Sequence, residues 1–276
     1  MLYFVFTVDG DWEEYFNIKL SEEKRAPNAS KMLPLIKKEI KFVSKVLGGK
    51  FIHFIHASPR AGDFFLRAEF IALWKNIEGL GGDIGVHCHE EDPQKAYYFD
   101  DLDRMSKSIF DLTSALTKHG LGPISYRGGY MAFSPKTIPV LETNGISLDF
   151  SCEPGRYLKH NDKLVSDWRG APENFYTLDY KDHRKKGRSR IYEIPVGTSK
   201  GKYLHFEKSS PSVMRKIAKE LKEKSLKKDV VVSVVAHTYD FKNFWTIWKT
   251  KKILWDLKKF GRFINAKEAL DIVRGK

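Results

Sequence analysis

The chain has 276 residues, 42% hydrophobic and 13% aromatic, enough for one large α/β barrel and too apolar for a disordered segment. Its two cysteines, Cys88 and Cys152, are too few for a disulfide scaffold. The net charge of +13, from 48 Lys+Arg against 35 Asp+Glu, predicts a surface that attracts polyanions.

In chain order, the first predicted element is a strand over Leu2–Asp9. No basic segment, long apolar stretch or cleavage site precedes it, so a signal peptide is not expected and the expected location is cytoplasmic. No apolar run reaches the length of a membrane span. Ser30–Leu47 places Met32, Leu35, Ile36, Ile40, Val43 and Leu47 at helical spacing; Ser30 is the expected N-cap, and Gly48-Gly49 ends the helix. Strands are predicted at Lys50–His56, Asp83–His87, Ile124–Arg127, Ser147–Ser151, Arg190–Val196, Val230–His237 and Arg262–Asn265. The run Val230–Ala236 is almost continuously apolar and β-branched, as in a strand buried on both faces. Helical patterns at Phe64–Ile77, Lys95–His119, Pro135–Thr143, Pro211–Lys224, Phe244–Lys259 and Lys267–Val273 alternate with the strands. The alternation predicts an α/β fold with a mainly parallel sheet. The stretch Glu153–Arg188, rich in Gly, Pro and aromatics, reads as an ordered lobe rather than a second domain. There is no repeat, low-complexity segment or linker, and residues 1–276 are expected to form one catalytic domain.

The positive charge clusters at 183–190, 215–228 and 249–259. The last two interleave Lys with Ile, Leu and Trp, which reads as the solvated faces of two amphipathic helices. No nucleic-acid signature accompanies the charge, so no specific nucleic-acid partner is expected.

Asp9 and Asp11, His56, His87 and His89, Arg127 and His237 each fall at or just past the C-terminal end of a predicted strand. In a parallel β/α barrel those ends open on one face, where active sites are built. Carboxylates with imidazoles are the ligand set of a catalytic divalent metal. Two carboxylates two positions apart permit one to bind the metal and the other to take a proton. His237 is placed to protonate a leaving group, and Arg127 to fix a catalytic carboxylate.

At these residues the sequence resembles the polysaccharide deacetylase (NodB homology, carbohydrate esterase family 4) superfamily. Phe6-Thr7-Val8-Asp9-Gly10-Asp11 resembles its first motif, Ile84 to Glu91 its second, Tyr126-Arg127-Gly128-Gly129-Tyr130 its third, and Val234-Val235-Ala236-His237-Thr238 its last. The resemblance implies a single distorted (β/α) barrel of six to eight mainly parallel strands. It implies Asp9 as catalytic base, Asp11 as metal ligand, His237 as catalytic acid, and Tyr130 in the groove. The family's two metal-binding histidines lie four residues apart, but here the fourth position after His87 is Glu91. The family register favours Glu91 with His87; an extended chain would instead set His89 beside His87. The metal is expected to be Zn²⁺, with Mn²⁺, Fe²⁺ or Co²⁺ as alternatives suited to a carboxylate ligand. The third motif has Gly129 where the family carries proline. His56 and Trp168 are further candidates for contact with substrate, His56 being equally compatible with a structural role.

The implied activity is removal of an N-acetyl group from a carbohydrate, a sugar intermediate fitting a cytoplasmic protein. The alternatives are hydrolysis of another C–N bond, of cyclic imide or ureide type, and a non-catalytic carbohydrate-binding homologue.

Overall fold

The computed structural model describes residues 1–17, 19–89, 102–160 and 163–275. In chain order it contains β1 (Leu2–Asp9), α1 (Glu22–Arg25), α2 (Ala29–Leu47), β2 (Ile52–Ala57), α3 (Ala68–Gly79), β3 (Asp83–Cys88), α4 (Leu102–Lys118), β4 (Ser125–Gly128), α5 (Thr137–Thr143) and β5 (Leu148–Asp149). There follow β6 (Tyr157–His160), β7 (Lys163–Asp167), β8 (Tyr176–Thr177), β9 (Tyr192–Glu193), β10 (Thr198–Ser199), β11 (Lys202–Tyr203), α6 (Pro211–Lys224), β12 (Val230–His237), α7 (Phe244–Lys258), β13 (Arg262–Ile264) and α8 (Ala266–Val273).

A nine-stranded sheet runs in the order β12-β1-β2-β3-β4-β5-β9-β8, with β13 also paired to β1. All its pairings are parallel except β8 with β9. The sheet curls until its two sides meet at single bridges, Val196 to Ser233 and His205 to Val235, instead of a continuous ladder. This is a distorted (β/α) barrel. The strand predicted over Arg190–Val196 shrinks to two residues in β9, where Pro195 lacks the N–H a ladder needs.

Burial explains the pattern. Every residue of β12 is buried, as its unbroken apolar run predicts. Phe4, Phe6 and Val8 of β1 join the core cluster that contains Ile36, Ile40 and Val43 of α2, while Val5 joins a second, facing Ile52, Phe54 and Phe150. Asn28, rather than Ser30, caps α2, its side chain accepting the Ser30 N–H; Gly48 closes the helix in the left-handed conformation (φ 63°). The predicted helix from Phe64 begins with a 3₁₀ turn at Phe64–Leu66 before α3. That from Lys95 is described only from Leu102 onward. Within the 153–188 lobe, β6 and β7 form an antiparallel hairpin.

Candidate metal centre and acid–base site

The C-terminal ends of β1, β3, β4 and β12 bring Asp9, Asp11, His87, His89, Arg127 and His237 into one buried cluster. Asp9 ends β1 and Asp11 lies two residues on. Between them Gly10 donates its N–H to the Phe54 carbonyl at 2.9 Å. A Cβ there would stand 2.7 Å from that oxygen and 3.1 Å from His53 Nε2. The close approach to β2 therefore requires glycine and explains the Asp-Gly-Asp spacing.

His87 and His89 project to the same side, as alternate residues of an extended chain do. Their Nε2 atoms lie 2.9 Å apart, and each is 3.5 Å from Asp11 Oδ2. The His87 Nδ1–H donates to the Arg127 carbonyl at 3.0 Å, which leaves the Nε2 lone pair facing His89 and Asp11. One carboxylate oxygen and two imidazole nitrogens, two percent exposed or less, thus converge with one histidine tautomer already set. This donor set fits a divalent metal. Glu91 lies outside the described residues. Gly129, the departure from the family's proline, makes room for the second imidazole: a Cβ would come within 2.6 Å of the His89 ring.

His56, read from the sequence as either a groove residue or a structural one, sits behind Asp11. Its Nδ1 meets Asp11 Oδ1 at 2.5 Å and its Nε2 meets Ser58 Oγ at 2.9 Å, and it does not line the cavity. Burial pushes its pKa down to about 4, so the ring is neutral. It donates from Nδ1 to Asp11 and accepts from Ser58. Although His56 is near enough to join a four-residue ligand group with Asp11, His87 and His89, both its nitrogens are engaged, which makes it the support that turns Asp11 Oδ2 toward the other two. Asp11 is itself pushed up by burial. The charges of His89 and His87 and the His56 hydrogen bond outweigh this and hold it well below the usual carboxylate range.

Arg127, fully buried, donates from Nη1 to Asp9 Oδ1 at 2.6 Å and to Thr7 Oγ1 at 2.9 Å, and from Nε to the Phe150 carbonyl at 3.0 Å. Burial raises the Asp9 pKa, but Arg127, then His87 and His237, prevail and keep it lowered. His237 ends β12 with Nε2 at 4.0 Å from both Asp9 Oδ2 and Asp11 Oδ2. Tyr239 stacks on its ring at 4.8 Å and 7°. The Tyr239 hydroxyl donates to Glu207 Oε1, which stands 3.8 Å from His237 Nδ1.

These groups border a cavity of about 360 Å³ whose lining includes Phe16, Tyr130, Met131, Arg156, His205, Lys208 and Tyr239. Tyr130 lies where the third motif predicts, in the left-handed region (φ 56°), as does Met131 (φ 60°). Consecutive non-glycine residues there are strained and persist only where neighbours hold them. Trp168, the other residue read as a candidate for substrate contact, is one of those neighbours and is absent from the cavity lining. It is fully buried behind the wall, donating Nε1–H to the Met131 carbonyl at 2.8 Å. A larger cavity, about 800 Å³, lies beside Val230 at the other end of β12, away from this cluster.

The sequence reading missed the far wall. His205 follows β11 and is buried; burial, His237 and Lys208 push its pKa well below the usual value. Lys208 Nζ and Arg156 Nη1 both donate to the fully buried Glu153 carboxylate, at 2.5 Å and 2.8 Å. Glu207 lines the same wall, so the two cations are matched by two carboxylates. No apolar period marks these residues, and only the charged types themselves could have flagged them.

No protein-family model matches the sequence, and neither does any curated protein. Solved structures do match in fold. A structure described as a polysaccharide deacetylase from Mycobacterium smegmatis aligns over 99% of this chain and 90% of its own, with TM-score 0.63 and 14% identity. The chain shares the fold of that structure. The Puue allantoinase aligns over 100% of this chain and 91% of its own, with TM-score 0.58 and 13% identity. A 4-alpha-glucanotransferase from Thermococcus litoralis matches 99% of this chain with 38% of its own, at TM-score 0.53 and 13% identity.

Proposed function

We propose that the protein is a metal-dependent hydrolase that removes an N-acetyl group from a carbohydrate. The observation that carries this reading is the convergence of Asp11 Oδ2, His87 Nε2 and His89 Nε2 beside an arginine-held Asp9 and a separate His237. Asp11, His87 and His89 are the metal ligands, and Zn²⁺ suits two imidazoles with one carboxylate, as do Mn²⁺, Fe²⁺ and Co²⁺. A divalent ion there supplies Lewis acidity toward a carbonyl oxygen and eases deprotonation of water.

Asp9 takes the proton of the attacking water. Its lowered pKa keeps it ionised for that purpose at neutral pH. Arg127 aims the carboxylate by holding one oxygen and leaving Oδ2 toward the site. His237 gives a proton to the departing amine, with Tyr239 stacked on its ring and Glu207 near Nδ1 to orient it. Phe16, Tyr130 and Tyr239 offer aromatic surface in a cavity of small-ligand size. The products are acetate and a free amino sugar.

The test is elemental analysis of wild type and His87→Ala, followed by acetate release from a panel of N-acetylated sugars. About one metal per chain, lost in the variant, together with acetate release supports the reading. Absence of metal after Zn²⁺, Mn²⁺ and Co²⁺ are offered overturns it. A second reading keeps the site and changes the substrate to a small anionic ureide or imide. It is favoured by the cationic groups of Arg156 and Lys208 in the cavity lining, and ring opening of such compounds without acetate release would select it.

A further inference from the structure

The basic run at 249–259 reads in the sequence as a solvated helix face, yet the outside of α7 is more aromatic than solvation explains. Ile253, Leu254 and Leu257 are buried against the barrel. On the other side Phe244 is 69% exposed, Trp245 74%, Trp248 51% and Trp255 54%. Phe244, Trp248, the adjacent pair Lys251 and Lys252, and Trp255 are linked by three- and four-residue steps and share one face, with Trp245 on its flank and Lys259 at the C-cap. The face extends over 15 residues, about 22 Å. Large aromatics grouped in this way on a surface mark an interaction site.

Lysines flank the rings. Lys252 Nζ lies 5.3 Å from the Trp248 ring and Lys251 Nζ 4.5 Å from that of Trp255. Asp256, the acid of the helix, is buried and bound by Arg215 and Lys259, and among the described residues no carboxylate pairs with Lys251 or Lys252 on the exposed face. Indoles with lysines beside them suit a lipid–water interface, where rings sit at headgroup depth and ammonium groups reach lipid phosphates. The face also lies beside the site. Tyr239 lines the cavity, and α7 begins five residues later, at the same end of the barrel.

We propose that the outer face of α7 docks the protein on the surface of an anionic lipid bilayer. A second copy of this face would set lysines against lysines, whereas lipid phosphates neutralise them. A single nucleic-acid strand is held in a groove lined by stacking rings, and a convex helix provides none. Docking stands on α7 alone and does not depend on the proposed hydrolysis.

The test is co-sedimentation of the full chain with phosphatidylcholine vesicles and with vesicles that also contain phosphatidylglycerol. Wild type is expected to bind the second kind, to shift its tryptophan emission to the blue, and to dissociate at high salt. Trp245→Ser/Trp248→Ser and Lys251→Gln/Lys252→Gln are each expected to weaken binding roughly tenfold or more. Thermal unfolding within a few degrees of wild type establishes that both variants are folded. No binding to anionic vesicles at low salt overturns the proposal, as does binding unaltered in both variants. Light scattering that reveals a dimer lost in the tryptophan variant assigns the face to a second copy instead. Tighter binding of a single-stranded oligonucleotide through the same residues assigns it to nucleic acid, and either result overturns the lipid reading.

Discussion

Asp149 and Glu193 lie side by side in the core near Arg127, fully buried. Ser151 Oγ donates to Asp149 Oδ1 at 2.6 Å, and the Cys152 N–H donates to Glu193 Oε1 at 3.0 Å. Burial and then the charge of Asp149 push the Glu193 pKa well above the usual carboxylate range, so the pair retains a proton. A carboxyl with a raised folded pKa contributes stability that is full below the unfolded pKa and is lost as pH rises through the folded one. Urea unfolding should therefore give wild-type stability that falls as pH rises above the usual carboxylate range, and a flatter profile for Glu193→Gln. Parallel profiles would refute proton sharing. Asp9→Asn is expected to lower turnover by about 10²-fold or more with metal content unchanged, because in the proposed mechanism Asp9 moves a proton and does not ligate. Asp9 was legible in the sequence because a carboxylate directly after an apolar strand is conspicuous. Glu193 was not: inside a strand-like run, nothing in the sequence distinguishes a carboxyl that faces another carboxyl across the ladder.

At the scale of elements, the strands that the sequence marks best are those buried on both faces. β1, β3 and β12 appear close to their predicted bounds because an unbroken apolar run has few other ways to fold. The two-residue strands β8, β10 and β11 leave no period to read, and the β6–β7 hairpin was taken only as an irregular lobe. Pairings between a helix and a strand were also hidden. Glu39 of α2 binds His53 Nδ1 of β2 at 2.7 Å, and its other oxygen accepts from Thr238 Oγ1, which also reaches the Asp9 carbonyl at 3.3 Å. The junction of β1 and β2 is consequently tight. Gly10→Ala should force the strands apart, costing roughly 1–3 kcal/mol in chemical denaturation and lowering metal occupancy more than a surface substitution does. Wild-type occupancy with unchanged stability would contradict the packing argument.

For the whole molecule, the barrel is closed unevenly. Along β12, Ser233 and Val235 turn both backbone groups to the seam: Ser233 donates to Pro195 and accepts from Gly197, and Val235 donates to Leu204 and accepts from Phe206. Their neighbours Val232, Val234 and Ala236 belong to the continuous ladder with β1. Native-state hydrogen exchange should alternate along one buried strand, faster at Ser233 and Val235 than at Val232 and Val234. Uniform protection would mean that the seam is as firm as the ladder. The seam segments and the lobe before them also supply Arg156, His205, Glu207 and Lys208, which is why the catalytic half of the site could be read from strand ends while the opposite wall could not. That wall is mechanically tied to the lobe. The Met131 carbonyl, in the strained turn beside the cavity, takes hydrogen bonds from Ser166 Oγ and Trp168 Nε1. A substitution in the hairpin can thus reshape the mouth of the cavity while leaving every proposed metal ligand alone, so the shape of the opening and the donor set at its floor can be altered one at a time.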